Sequence, residues 1–406
     1  MTLAARAFSR YFIVLFLALA TLGLARDFEK LPADQVEEIF VTTDDGVAEK
    51  LIHLRNPGKP ILLMEPGLGA QGLSLEIPAT AMRMRGDYDI FIGNWRGSAK
   101  LPEGMKLLGE RNGLPEIVRK DFPAHLRHIL NSYASAAQKK LGITLFGHSM
   151  GGMMIMGSLS DPRLMNEFKP FIRSIVLFQS PHHAKYLQLH MKAFAHVGIP
   201  MLEALKAAGI RTIDMHTRLL DRMQRSKQSG GIQGNVITPA IENFAIMLTR
   251  LALNPAYTGR ETMRRAFFKM SADTIPVDLM SDFSRATLND GQFVDETGAP
   301  LIRPELIRDI PIQMVRSKLD TLATWKEQGE YFAELGTQLK QLLSLKDMNH
   351  IDSVMFTEEE VDFFNNVIKF MHNPEATVAE ARTVDFQPYC ESLFTRIKLK
   401  FRRRGI

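Results

Sequence analysis

The run Ile143-Thr144-Leu145-Phe146 passes through Gly147-His148-Ser149-Met150-Gly151-Gly152 directly into Met153-Met154-Ile155-Met156. A buried strand that turns into a helix with almost no loop leaves few folds open, because the helix must cross back over a parallel sheet. Small residues two places before and two places after Ser149 let the backbone reverse without a clash and hold Ser149 in a strained conformation. Its hydroxyl then projects above the sheet at a helix N-terminus, where the amide of Met150 can donate to an oxyanion. The plainer reading of the same residues is a glycine-rich turn without chemistry; the strand and helix on either side argue against it.

The rest of the chain supplies the sheet that such a turn requires. Strands are expected at Glu38 to Thr42, Lys50 to Leu54, Pro60 to Glu65, Tyr88 to Gly93, Ile143 to Phe146, Ile175 to Phe178, Ile310 to Val315 and Leu342 to Leu345. Several are wholly apolar, as strands covered on both faces must be. Between the fourth and fifth, Phe122, Leu126, Ile129, Leu130, Tyr133 and Ala137 recur at helical spacing, with Asp121 as the opening residue and Pro123 in the first turn. After the eighth, Thr357 and Glu360 have capping-box spacing, and Phe364, Ile368 and Met371 form a stripe to be buried. This alternation predicts an α/β architecture, a mostly parallel eight-stranded sheet flanked by helices. It breaks between His182 and Arg308, where helical patterns rich in Met, Leu and Ala surround Ser229-Gly230-Gly231-Ile232-Gln233-Gly234. So long an interval reads as an inserted helical cap, residues 182–308, on a core made of residues 26–181 and 309–373.

A serine hydroxyl attacks only when a histidine takes its proton, and that imidazole needs a carboxylate to fix its tautomer. In this topology the acid and then the histidine follow the serine, each just beyond a later strand. Asp320 follows the Ile310 to Val315 strand, and His350 follows the Leu342 to Leu345 strand. Asp309 precedes its strand and so falls at the wrong end of the sheet, Asp352 is too near His350 in sequence, and Asp347 is a weaker substitute. Of the other histidines, His148 lies within the turn itself, His182, His183, His190 and His216 precede or occupy the cap, and His372 lies past the last helix. The second oxyanion donor belongs to the loop after the third strand, Glu65-Pro66-Gly67-Leu68-Gly69-Ala70, where glycines let the amide of Leu68 approach a reacting carbonyl.

Charge is informative chiefly by where it sits. The 406 residues carry a net +5, yet Arg396 to Arg404 hold six positive charges and residues 1–25 hold two more, with no acid in either segment; removing these eight leaves residues 26–395 at −3. An extended nucleic-acid groove is therefore not expected. Residues 11–25 are uncharged and flanked by Arg6, Arg10 and Arg26, and Gly23-Leu24-Ala25 offers small residues where a signal peptidase reads. Residues 1–25 read as a signal peptide cleaved after Ala25, with an uncleaved anchor or a buried helix as the other readings. Residues 374–406 form a basic tail in which Tyr389, Leu393, Phe394, Ile397, Leu399 and Phe401 interleave with the cations. Residues 389–406 would suit an anionic membrane surface, or else a solvated tail. One cysteine, Cys390, excludes an internal disulfide. No cofactor motif is present, and His182-His183, without acids or thiols at ligand spacing, reads as packing and not as a metal site.

Four segments resemble the acid lipases of the gastric and lysosomal type, within the α/β-hydrolase superfamily. Ile90-Phe91-Ile92-Gly93-Asn94-Trp95-Arg96-Gly97 is similar to that family's strand ending in Gly-Asn-Ser-Arg-Gly, and Lys120-Asp121-Phe122-Pro123-Ala124 to its Tyr-Asp-Leu-Pro-Ala helix start. The elbow matches Gly-His-Ser-Gln-Gly except at Met150, and Asn349-His350-Ile351-Asp352 resembles Asn-His-Leu-Asp. The resemblance implies an α/β-hydrolase fold, a triad of Ser149, Asp320 and His350, oxyanion donors Leu68 and Met150, and ester hydrolysis through an acyl-enzyme. Pro66-Gly67 stands where that family has His-Gly, and Trp95 replaces a serine. The expected substrate is a small-molecule or lipid ester with a hydrophobic acyl chain, and the expected location is the cell envelope, periplasmic, secreted or anchored. A polyester, thioester or amide substrate on the same triad, or a silent membrane-associated binding protein, are the alternatives.

Overall fold

The computed structural model describes residues 31–185, 189–214, 272–346, 348–354 and 362–386. The two basic ends, most of the cap with His216 and the glycine-rich segment, Asp347, and the Thr357–Glu360 box lie outside these residues.

All eight expected strands are present: β1 Val36–Thr42, β2 Ala48–Leu54, β3 Ile61–Glu65, β4 Asp89–Ile92, β5 Ile143–His148, β6 Ile172–Phe178, and, beyond a cap ribbon of β7 Thr212–Asp214 and β8 Thr274–Pro276, β9 Ile312–Ser317 and β10 Lys340–Leu345. A ninth sheet strand, β11 Thr383–Phe386, pairs parallel with β10. It corrects the eight-strand count and lies in the segment read as basic tail. Only Val384 and Phe386 of its alternating residues are half-buried, too weak a pattern to stand out in sequence. The sheet order is β1-β2-β4-β3-β5-β6-β9-β10-β11. β1 and β2 are antiparallel to their neighbours, and every pair from β4 onward is parallel.

Alternation along the strands divides the core into two layers. Ile61, Leu63, Phe91, Leu145, Ile312 and Met314 face one side, and Leu62, Met64, Ile90, Phe146, Val315 and Leu343 face the other. The helices in chain order are α1 Glu76–Met84, α2 Phe122–Ser132, α3 Ala136–Leu141, α4 Met150–Ser160, α5 Pro162–Phe168, α6 Leu189–Ala207, α7 Val277–Leu288, α8 Trp325–Glu334, α9 Asp362–His372 and α10 Pro374–Glu380. α2 and α4 cover the first layer and α1 and α9 the second. α4 is buried along its whole length, which explains why its sequence is apolar all round.

Asp121 does not open a helix. The helical path starts at Leu114 and runs through a π turn at Ile117–Asp121 into α2, so the Asp121 side chain is free of capping and turns inward to Arg96. From the cap, α6 and α7 pack against each other, and β7 pairs with β8. The returning cap strand is tied to the core loops by Ala272 N donating to Gly69 O at 2.8 Å and Thr274 N to Gly97 O at 3.0 Å.

Candidate active site

Ser149 sits between β5 and α4 with φ 54°, ψ −122°, a backbone region that L residues rarely adopt. The two flanking glycines are obligatory. A Cβ on Gly151 would stand 2.0 Å from the Glu65 carbonyl oxygen, and one on Gly147 would stand 2.4 Å from the Gly152 nitrogen. Ser149 N donates to the Phe178 carbonyl at 2.8 Å, fixing the turn to β6.

The three residues expected from the chain order meet at this point. His350 Nε2 lies 2.8 Å from Ser149 Oγ, and His350 Nδ1 lies 2.8 Å from Asp320 Oδ2. His350 and Asp320 are buried while Ser149 is half-buried. The remaining oxygen of Asp320 accepts the amides of Leu322 and Ala323, each at 2.8 Å. An acceptor-only carboxylate makes Nδ1 the protonated ring nitrogen, so Nε2 presents a lone pair to the Ser149 hydroxyl. Asp309, at the other end of β9, is exposed and pairs with Lys169. Asp352 accepts the amide of Asn349 at 2.8 Å, holding the turn that carries His350.

The two residues expected as oxyanion donors, Leu68 and Met150, lie beside Ser149 in the loop after β3 and at the start of α4. Leu68 and Met150 donate their backbone N–H groups to no acceptor among the described residues. A Cβ on Gly67 would be 3.0 Å from the Ser149 Cβ, so the loop passes directly over Ser149. The Gly67 carbonyl accepts from Trp95 Nε1 at 3.2 Å and from Ala70 N at 3.2 Å. Across a trans peptide the Leu68 N–H points opposite to that carbonyl, so Trp95 sets the direction of the Leu68 donor.

Several supporting residues escaped the sequence reading. Gln179, fully buried with φ 46°, donates to Ser317 Oγ at 2.6 Å and to the Asn349 carbonyl at 2.8 Å, and accepts from Ser353. It joins the ends of β6 and β9 to the His350 turn. Its one signal was a polar residue ending an apolar strand. His148 Nε2 donates to the His350 carbonyl at 2.9 Å; burial, with His350 close by, pushes its pKa down to about 3 and keeps it neutral.

Behind the oxyanion loop lies a buried ionic network. His125 Nδ1 is 2.9 Å from Glu65 and its Nε2 is 2.7 Å from Glu49, although that N–H does not point straight at the oxygen. Burial opposes a charge on His125, but the Glu65 and Glu49 carboxylates outweigh it and hold its pKa well above the usual value. Burial, together with Asp121, pushes Glu49 up. Arg96, fully buried, bonds Asp121 through Nε at 2.9 Å and Asp45 through Nη1 at 3.0 Å. Asn94 accepts from Gly72 N at 2.8 Å and donates to Lys50 O at 2.9 Å. The Asn94-Trp95-Arg96 segment thus ties Gly72, the Gly67 carbonyl and Asp121 together behind the loop that follows β3.

The sheet order, the elbow after β5 and the placement of Asp320 and His350 after later strands define the α/β-hydrolase fold. Residues 122–270 match the PGAP1-like alpha/beta domain. No curated protein matches the chain. Among solved structures it is similar to the α/β hydrolase GrgF from Penicillium sp. sh18, at 14% identity and TM-score 0.52, covering 85% of this chain and 100% of that one. It is similar also to a putative lipase, lip1, from Acinetobacter baumannii AYE, at 14% identity and TM-score 0.51 with 88% and 97% covered. A third is a thermophilic esterase from Thermogutta terrifontis with malate bound, at 12% identity and TM-score 0.50 with 84% and 99% covered. Such identities speak to the fold alone, and the likeness to acid lipases rests on its four segments.

Proposed function

We propose that this protein is a serine hydrolase that cleaves carboxylic esters with a hydrophobic acyl chain. The observation that carries the reading is the chain of contacts from Asp320 through His350 to Ser149, with both links at 2.8 Å. Ser149 Oγ attacks the ester carbonyl carbon as its proton passes to His350 Nε2, and the new oxyanion accepts from Leu68 and Met150. As the intermediate's C–O bond breaks, His350 returns the proton to the departing alcohol and the acyl group stays on Ser149. Water repeats the sequence and releases the acid. Asp320 keeps its proton count throughout and holds the His350 tautomer.

Apolar surroundings support the acyl preference: half-buried Leu68 packs against the main core, and the Ile275 side chain from the cap ribbon comes within 3.6 Å of the Gly69 Cβ position. The solved structures named above as a putative lipase and an esterase support an ester substrate of some kind. A series of nitrophenyl esters from acetyl to palmitoyl tests the reading. Turnover should rise beyond acetyl and vanish in Ser149→Ala; turnover of none of them defeats the ester assignment, and a preference for acetyl defeats the acyl one. Envelope attachment through residues 11–25 or 389–406 belongs to the same proposal; among the described residues no helix is long and apolar enough to cross a membrane. The mass of the mature N-terminus tests the first, and liposome flotation with and without residues 389–406 tests the second.

A further inference from the structure

The fold joins what the sequence keeps apart at the entrance to the cap. His182 and His183 follow β6, and Glu327 lies in the first turn of α8; donor atoms of the three side chains all fall within 4.8 Å of one another. Glu327 is completely buried, and its Oε1 lies 3.4 Å from His183 Nδ1. Its other oxygen, Oε2, is buried with no hydrogen-bond partner among the described residues. A dry carboxylate with one imidazole beside it is under-compensated in charge.

His182 adds a second observation. Its Nε2 lies 2.9 Å from Glu334 Oε2, and its ring stacks on Tyr331 with centroids 4.2 Å apart. The carboxylate can only accept, so Nε2 carries the hydrogen and Nδ1 is left with its lone pair. That Nδ1 is buried, on a residue 7% exposed, and has no hydrogen-bond partner among the described residues. A carboxylate behind one ring nitrogen, with the other nitrogen buried and left with its lone pair, is how proteins prepare histidine to bind a metal.

We propose that His182, His183 and Glu327 bind one divalent cation of the borderline class that favours imidazole with carboxylate, as Zn²⁺ does, with a fourth position left for water. The ion would tie the first residues of the cap to α8, the helix that follows the Asp320 loop. None of the three residues belongs to the Ser149, His350 and Asp320 chain of contacts, and the proposal does not depend on the hydrolase reading.

Untagged full-length protein stripped with chelator, loaded with Zn²⁺ and desalted is then assayed for metal content. One equivalent per chain is expected, with Mg²⁺ and Ca²⁺ leaving no such equivalent. Glu327→Gln should lose it. Glu334→Gln removes a half-exposed carboxylate that bonds the back of His182, and should fold normally while weakening affinity ~10–100-fold. His350→Ala should keep the equivalent, placing the ion away from the triad. Co²⁺ loading of the wild type should give visible absorption of a four-coordinate site, a readout that needs no variant to fold. Wild type that retains no Zn²⁺, full retention by folded Glu327→Gln, or loss in folded His350→Ala overturns the proposal.

Discussion

His350 and Asp320 meet through one atom pair, Nδ1 and Oδ2 at 2.8 Å, while the second carboxylate oxygen is occupied by the amides of Leu322 and Ala323. This division of labour makes Asp320→Asn informative. The new carboxamide can still accept both amides through its oxygen, which turns its NH₂ group toward Nδ1. Nδ1 must then carry the lone pair and Nε2 the hydrogen, the tautomer that cannot take the Ser149 proton. We expect kcat to fall ~10³–10⁴-fold with KM little changed. Steady-state kinetics on the best nitrophenyl ester, with circular dichroism to verify folding, measures it; a loss under tenfold would remove Asp320 from this role.

Under the proposed mechanism Trp95 positions the Leu68 donor through its hydrogen bond to the Gly67 carbonyl. Trp95→Phe keeps the ring in the core and deletes the indole N–H. Loss of one buried hydrogen bond, at ~1–1.5 kcal/mol, predicts about a tenfold drop in kcat with unchanged KM. A rise in KM alone would place Trp95 in substrate binding instead.

His125 stands between Glu49 and Glu65, all three completely buried. His125→Ala removes the cation that bridges two buried acids, and should cost ~3–5 kcal/mol in urea unfolding. A loss below 1 kcal/mol would mean the acids are neutral without it.

His148 gives the fold an acid limit. Its folded pKa of about 3 lies below the ordinary 6.5, so the unfolded chain takes up this proton first as pH falls. Stability from this group is intact above pH 6.5 and declines from there toward pH 3, by roughly 2 kcal/mol at pH 5. His148→Gln, which keeps a donor for the His350 carbonyl, should flatten the drop in urea midpoint between pH 7 and 5. An unchanged slope would show that other groups set it.

Sequence carried the sheet because its central strands are buried on both faces and therefore largely apolar; Ile61–Glu65 and Ile143–His148 needed no partner to be recognised. The elbow was legible because only glycine fits at Gly147 and Gly151. Order along the chain singled out Asp320 and His350 because the topology places acid and base after later strands. What stayed hidden depends on contacts between distant segments. Glu49, Glu65 and His125 come from three elements, and nothing local marks them as a network. Glu327 lies 144 positions from His183, so the pair read as local packing. Asp121 resembled a helix cap until the π turn before it turned its side chain to Arg96. Thr383–Phe386, half polar at a sheet edge, had too little pattern to read as a strand.

The nucleophile itself is the most direct test. Folded full-length protein is treated with a fluorophosphonate and digested, and the modified peptide is sequenced by mass spectrometry. The account predicts stoichiometric modification at Ser149, none in Ser149→Ala, and slow modification in His350→Ala. Folded wild type that stays unmodified, or is modified at another residue, would contradict it.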